Sequence, residues 1–254
     1  MSAPEVPAFR DGGYRFIKGV FQYSGGVAAE PGFRIERARL RRPLPLAQGF
    51  AAAEAHLKAI GRPLPAFCAC ELRSPKPFTE EGFTAFNRHY TETLARWGIY
   101  RDGLNPVART NVCPDFSPPA EPSLYAFSYT VPASATGAAS FIVSGGGEAP
   151  EGKPNYRNHI VRPGDTSPAG MREKLRYVFD VMVGRMAALG VAWKDALDVQ
   201  VYTVHDVGPL ILDELVRRGA APVSAITWHL TRPPVVGLDC EMDVRAPAAE
   251  HVIG

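Results

Sequence analysis

Cysteine and the common metal and nucleotide motifs are scarce in this chain. Four cysteines occur among 254 residues, without a CxxC spacing: Cys68, Cys70, Cys113 and Cys240. So few cysteines in a chain of this length argue against a disulfide framework and favour a reducing cytoplasm. The histidines form no HExxH or paired Cys/His spacing, and neither a P-loop nor a GxGxxG sequence is present. We therefore expect no metal, nucleotide or flavin cofactor.

Long apolar runs and a strong net charge are missing as well. No run of about 18 apolar residues occurs, which argues against a membrane-spanning helix. Residues 1–10 lack the basic start and apolar stretch of a secretory signal. The net charge of +2 is too weak a field to indicate nucleic acid. We expect a globular protein, whose 46% hydrophobic residues can fill a core, with neither a membrane nor a nucleic acid as its partner.

One local basic segment contains Arg34, Arg37, Arg39, Arg41 and Arg42. If the segment is a strand, Arg37, Arg39 and Arg41 share one face. Such a face is typical either of a solvated edge strand that resists aggregation or of a phosphate-binding stripe. We favour the edge strand.

The chain contains an internal repeat. Phe-Gln-Tyr-Ser-Gly-Gly at 21–26 and Phe-Ile-Val-Ser-Gly-Gly at 141–146 begin 120 residues apart, and each predicts a short apolar strand that breaks at Ser-Gly-Gly. Each is followed by an amphipathic helical pattern that ends before a glycine, at 46–60 before Gly61 and at 175–189 before Gly190.

The order of elements after these helices also repeats. A strand follows each glycine, at 66–72 and at 196–204, and then a second helix. Thr79 is the predicted N-cap of the first of these helices, which ends at Gly98, and the other runs over 209–218 and ends at Gly219. Each copy finishes with two strands, at 109–113 with 124–131 and at 224–230 with 238–244. The repeat predicts an α/β (α+β) protein of two tandem modules, residues 1–133 and 134–254.

Three motifs of the first copy resemble the Rid family, also called the YjgF-type or L-PSP family, of imine and enamine deaminases. They are Tyr23-Ser24-Gly25, Phe83-x-x-x-Asn87-x-x-Tyr90 and Pro106-Val-Ala-Arg109-Thr110. Their order and spacing carry the resemblance across most of residues 14–131.

The resemblance implies two tandem Rid/chorismate-mutase-like modules, each a mixed sheet with two helices on one face. It implies a homotrimer with sites in clefts between modules. It also implies cofactor-independent hydrolysis of small 2-imino or 2-enamino acids to keto acids and ammonia. The substrate is then a small anionic nitrogen-containing compound, and the protein a deaminase.

The two halves depart from the family in complementary ways. Ser224 stands where the second copy should have the arginine, and Leu124 stands where the first copy should have the acid. The second copy retains acids at Asp239-Cys240-Glu241-Met242-Asp243, which resembles the family's acidic last strand and places Asp239 at the catalytic position. We therefore predict one composite site that combines Arg109 with Asp239 or Glu241.

Imine hydrolysis needs an anchor for the substrate carboxylate, a positioned water and a proton donor and acceptor. The planar fork of Arg109 suits the anchor, and a carboxyl group with a tuned pKa suits the proton transfers. On a strand, Arg109, Asn111 and Cys113 share one face. The predicted catalytic residues are Arg109, Asp239 and Glu241; the predicted substrate-binding residues are Tyr23, Ser24, Gly25, Asn87, Thr110, Asn111 and Cys113.

Other interpretations remain open on the sequence alone. Asp239, Glu241 and Asp243 alternate, which is also typical of a solvated strand face. The split of the arginine and the acid fits a non-catalytic metabolite-binding or scaffold protein that kept the fold. A chorismatase-like hydrolase, built on a related duplicated fold, is a second enzymatic alternative.

Overall fold

A computed structural model of the chain describes residues 4–134, 137–153, 155–218 and 226–254. The predicted positions of Gly219 and Ser224 lie outside the described residues. The described helices are α1 (Leu46–Ala59), α2 (Glu80–Arg96), α3 (Pro168–Leu189) and α4 (Gly208–Arg217). The described strands are β1 (Ala8–Phe9), β2 (Tyr14–Phe16), β3 (Gly26–Ala29), β4 (Phe33–Pro45), β5 (Phe67–Arg73), β6 (Ala108–Pro114), β7 (Ser123–Pro132), β8 (Phe141–Gly147), β9 (Asp198–Tyr202), β10 (Ile226–His229), β11 (Thr231–Arg232), β12 (Glu241–Ala246) and β13 (Ala249–Ile253).

These strands form two mixed sheets. The seven-stranded sheet has the order β1-β2-β3-β8-β12-β9-β10, and the six-stranded sheet has the order β11-β6-β5-β7-β4-β13. Buried apolar side chains of α3 and α4 pack on the seven-stranded sheet, and those of α1 and α2 pack on the six-stranded sheet. The predicted fold class, two mixed sheets with two helices on one face of each, is confirmed.

Each sheet takes strands from both halves of the chain. Strands β1 to β3 precede the six-stranded sheet's β4, yet they extend the seven-stranded sheet through the pairing of β3 with β8. At the other end of the chain, β13 pairs in parallel with β4. The division into modules at residues 133 and 134 stays a prediction.

The helix ends follow the predicted caps. The Thr79 side chain accepts a hydrogen bond of 3.0 Å from the Gly82 N–H at the start of α2, which satisfies one free donor of the first turn. Gly190 ends α3 with φ of 74°, a left-handed conformation that costs glycine little. Both predicted caps are confirmed.

Two local predictions are wrong. In the first copy Ser24 and Gly25 precede β3, which begins at Gly26, and the Ser24 N–H bonds to the Val107 carbonyl at 2.9 Å. In the second copy the predicted break does not occur, because β8 continues through residues 144–146. The arginine-rich β4 is not an edge strand, since β7 and β13 pair with its two sides.

The basic face of β4 has ion-pair partners within the protein. Arg37 is 6% exposed and lies 2.6 Å from both Glu71 and Glu250. Arg37 therefore belongs to a buried ion-pair network, whereas Arg41 and Arg42 are exposed.

The faces that carry no helices pack against each other. Arg245 and Glu71 form an ion pair of 2.8 Å between the two sheets, and Thr110 donates a hydrogen bond of 2.7 Å to Asp243. Asp243 is fully buried, so a solvated face for this strand is wrong. At one end of this interface β6 meets β8, where the Arg109 N–H donates to the Ser144 hydroxyl at 3.1 Å.

None of the described helices combines the length and the apolarity needed to cross a bilayer.

Candidate active site

A cavity of about 540 Å³ lies between the two layers of the protein. On one side are β6 of the six-stranded sheet and the helix α2, and on the other are β8 and β12 of the seven-stranded sheet. This volume is within the usual range for a small-molecule site. Its wall includes Arg109 and Asn111 of β6, Phe83 of α2, Gly145 of β8 and Glu241 of β12. The segment after β8, residues 149–153 and 156, closes another side. The cavity therefore draws on residues that are far apart in the chain.

Arg109 is a buried cation without an anionic partner in the described part of the chain. Arg109 is 3% exposed, and its Nη1 atom donates a hydrogen bond to Oδ1 of the buried Asn87. Among the described residues, the Nη2 atom has no hydrogen-bond partner and no carboxylate lies within 4 Å of the guanidinium. A buried charge is expensive unless it is paired. The arrangement therefore favours an anion from outside the chain as the partner of Arg109.

Aromatic rings hold this guanidinium in place. Its carbon lies 4.8 Å from the ring centre of Tyr23, 4.9 Å from that of Tyr90 and 5.5 Å from that of Phe83. The negative faces of the rings attract the cation without neutralising its charge. The guanidinium is thus oriented, while its Nη2 atom has no hydrogen-bond partner among the described residues and is available to a ligand.

Glu241 is a buried acid on the wall of the same cavity. It is 5% exposed, and burial raises the pKa of its carboxyl group well above the ordinary range, with Asp243 adding to the increase and Arg109 opposing it. Burial disfavours the charged form of a carboxyl group. Burial therefore favours the neutral form of Glu241, which can act as a proton donor.

Asp239 lies outside this cavity. Its carboxylate forms an ion pair with the fully buried Lys174 and lies 3.3 Å from Nε2 of His205, while its N–H donates to Glu148 at 2.6 Å. Strand β12 begins at Glu241. Its alternation points Glu241 and Asp243 away from the helices. Asp239 precedes the strand and does not follow this alternation. The structure brings Arg109 together with Glu241 and not with Asp239.

Two of the predicted binding residues, Tyr23 and Asn111, line the cavity. A third, Asn87, does not line it but accepts a hydrogen bond from the Arg109 guanidinium. The Asn111 Oδ1 accepts a hydrogen bond of 2.9 Å from Ser74, and its Nδ2 has no partner among the described residues. An unpaired buried amide can bind a ligand oxygen.

The other four predicted binding residues do not line the cavity. Ser24 is fully buried and forms a bridge to β6, while the Gly25 N–H bonds to the Ile17 carbonyl. Thr110 points to the opposite side of β6 and binds Asp243. Cys113 is 2% exposed, and burial raises the pKa of its thiol to about 12, so it is a neutral thiol and not a nucleophile.

Sequence reasoning missed the contribution of the segment after β8. Glu151 accepts a hydrogen bond of 2.8 Å from the Tyr23 hydroxyl and forms an ion pair of 2.6 Å with Arg185. Lys153 and Tyr156 also line the cavity. No motif marks these residues, and the only signal is a Pro- and Gly-rich loop beside a motif strand, the kind of segment that often carries function.

A cavity of this size with a buried cation and a buried acid on its wall suits an enzyme that acts on a small molecule. Residues 6–251 match the family described as 2-aminomuconate deaminase CnbZ, and the chain belongs to that family. It is also 54% identical over 251 residues to a 2-amino-5-chloromuconate deaminase of Comamonas testosteroni, covering 98% of this chain and 100% of the relative. The expected enzyme class, a deaminase acting on a C–N bond, is confirmed, and the non-catalytic alternative is wrong.

Two solved structures show weaker likenesses. A chorismatase crystal structure has a TM-score of 0.47 and 13% identity, over 91% of this chain and 79% of that one. The YjgF gene product of E. coli has a TM-score of 0.32 and 16% identity, over 44% of this chain and 83% of that one. At these scores neither likeness supports a conclusion about activity.

Proposed function

We propose that this chain hydrolyses a 2-aminomuconate-type enamine diacid to the corresponding 2-oxo acid and ammonia, without a cofactor. One observation carries the proposal: an unpaired buried arginine, Arg109, and a buried acid with a raised pKa, Glu241, line a single cavity. The family description and the name of the Comamonas relative, both of which specify aminomuconates, support this substrate class.

Arg109 binds the carboxylate next to the carbon that carries nitrogen. The two parallel N–H groups of a guanidinium match the two oxygens of a carboxylate. The Nη2 atom is free for this contact, and the Nη1 contact with Asn87 fixes the plane of the fork. Binding at this point orients the reacting carbon, which lowers the entropic part of the barrier.

Glu241 moves the protons. Its neutral carboxyl group protonates C3 of the enamine, so that the C2–N bond becomes an iminium. The resulting Glu241 carboxylate accepts a proton from water as the water oxygen bonds to C2. Transfer of that proton to nitrogen releases ammonia as the C2–N bond breaks, and the remaining hydroxyl proton returns to Glu241. One water is consumed, one ammonia is released and the acid is regenerated.

The test uses purified protein and 2-aminomuconate. Loss of the conjugated diene absorbance is followed together with ammonia, measured by a coupled glutamate dehydrogenase assay. We expect one ammonia for each substrate consumed, at a rate unchanged by EDTA. No ammonia release would contradict the reaction, and activity that EDTA abolishes and a divalent metal restores would contradict a cofactor-independent mechanism.

We also propose that the protein is a homotrimer in a reducing cytoplasm. Exposed apolar side chains near β10, including Trp228 at 44% and Leu230 at 56% exposure, favour a surface that is covered in an assembly. The four cysteines are buried free thiols, as expected in a reducing compartment. Light scattering that gives a stable monomer at micromolar concentration would contradict the trimer.

A further inference from the structure

Two cations on the wall of the cavity have no carboxylate partner among the described residues. One is the buried Arg109, and the other is Lys153, an exposed residue on the cavity wall whose ammonium forms no ion pair within 4 Å in that part of the chain. A third cation nearby, Arg185, is already occupied, because it pairs with Glu151 at 2.6 Å and donates to the Ser144 carbonyl at 2.9 Å. The cavity thus has positive charge to spare beyond what one carboxylate neutralises.

Tyr156 adds an unsatisfied donor on the same side as Lys153. Its hydroxyl is buried, lines the cavity and has no hydrogen-bond partner among the described residues. Burial raises the pKa of this phenol, with Glu148 and Glu241 adding to the increase, so the hydroxyl stays protonated. A buried hydroxyl without a partner is unfavourable, and a carboxylate oxygen would satisfy it.

We infer that Lys153 and Tyr156 bind the second carboxylate of the substrate and make the enzyme specific for a diacid. The inference rests on the proposed deamination and extends it. Arg109 projects from β6 toward α2, whereas Lys153 and Tyr156 belong to the segment that closes the cavity after β8. A six-carbon diacid carries its two carboxylates at opposite ends, which suits one anchor on each wall. Glu151 is paired with Arg185 and burial favours the neutral form of Glu241, so the two carboxylates of a diacid match Arg109 and Lys153.

One acid on the wall opposes the second carboxylate. Glu80 begins α2, where the helix N-terminus stabilises its charge, and its charge also acts on Tyr156. Repulsion between Glu80 and the second carboxylate weakens binding of a diacid. Glu80→Gln should therefore lower KM for the diacid. It should leave KM unchanged for an analogue whose remote carboxylate is replaced by a neutral carboxamide.

The test compares two substrates that differ only at the remote end. One is 2-aminomuconate, and the other is its analogue with the remote carboxylate replaced by a neutral carboxamide. We expect Lys153→Met and Tyr156→Phe each to lower kcat/KM for the diacid at least 10-fold, mainly through KM, and to change kcat/KM for the carboxamide less than 3-fold. Lys194→Met, at an exposed lysine away from the cavity wall, is the matched control and should change neither.

The outcomes separate this inference from the proposed function. Equal losses on both substrates, or no loss on either, would overturn the role of Lys153 and Tyr156 while the deamination stands. If the unaltered protein releases no ammonia from the diacid, the proposed function itself fails. Circular dichroism and thermal melts of each variant show whether a loss of activity reflects a loss of fold.

Discussion

Gly145 of β8 leaves the space that the carboxyl group of Glu241 occupies. A methyl group added at Gly145 would overlap the Oε1 atom of Glu241 and lie 3.1 Å from its Cδ and 3.2 Å from the Thr110 methyl group. The backbone of Gly145 is not in a left-handed conformation, so the requirement for glycine here is steric. Gly145 therefore sets the position of the proposed proton donor.

Gly145→Ala should reduce kcat by at least 10-fold, because the added methyl group displaces the Glu241 carboxyl group from the cavity. Gly184→Ala is the matched control. Gly184 is exposed within α3 with open space around it, and alanine there should stabilise the protein by about 0.5–1 kcal/mol. Steady-state kinetics and thermal melts check both variants, and full activity in Gly145→Ala would show that the Glu241 position is not critical.

Glu241→Gln and Asp239→Asn should have opposite effects. Loss of a general acid lowers kcat by about 10²–10⁴-fold, so Glu241→Gln should be nearly inactive. Its melting temperature should be unchanged or higher, because the substitution removes a buried acid whose pKa is raised. Asp239→Asn removes a charge from the buried Lys174, and it should lower the free energy of unfolding by on the order of 3 kcal/mol while the folded fraction keeps its activity. An inactive but fully stable Asp239→Asn would instead assign the proton transfers to Asp239.

The activity should fall as the pH rises. The proposed first step needs protonated Glu241, whose pKa burial raises well above the ordinary range. Activity is therefore present below this raised pKa and is lost as the pH passes through it. A pH profile of kcat/KM should show this alkaline limb, and Gly145→Ala should move it to lower pH, because displacement exposes the carboxyl group to water. A profile without an alkaline limb is incompatible with Glu241 as the acid.

Lysine should not replace arginine at position 109. An ammonium cannot form the two parallel hydrogen bonds of the guanidinium or stack in the same way on Tyr23 and Tyr90. Arg109→Lys should therefore lose about 2–4 kcal/mol of transition-state stabilisation, measured as the fall in kcat/KM. Arg42→Lys, at an exposed position of β4, is the control and should be neutral. Unchanged kcat/KM in Arg109→Lys would remove Arg109 from the site.

The stability of the protein should depend on pH through Glu148. Glu148 is fully buried, and burial raises the pKa of its carboxyl group to about 7. An acid whose pKa is higher in the folded state contributes stability that is fully present below its pKa in the unfolded chain. This contribution is lost as the pH rises through its pKa in the folded state. Relative to the unaltered protein, Glu148→Gln should therefore gain up to about 3 kcal/mol in free energy of unfolding between pH 5 and pH 8. Denaturant titrations at pH 5 and pH 8 measure this gain. A difference in free energy of unfolding between the two proteins that is the same at both pH values contradicts it.

The sequence by itself determined the local elements and half of the site. Helical stripes, caps such as Thr79 and Gly190, and the motif around Arg109 depend on neighbours a few residues away, so their pattern is readable along the chain. The deaminase class followed from those motifs. The acids of the last strand were also visible, but the alternation treated Asp239 and Glu241 as equivalent.

Only the tertiary structure distinguished these two acids and completed the cavity. Strand β12 begins at Glu241, and its pairing with β8 turns Glu241 toward Arg109 while Asp239 remains with Lys174. The exchange of β1 to β3 and β13 between the sheets, and the approach of Lys153 to the cavity, likewise depend on contacts between distant segments. Periodicity records which face of a strand is buried, but it does not record which strand lies beside it or where the pairing begins.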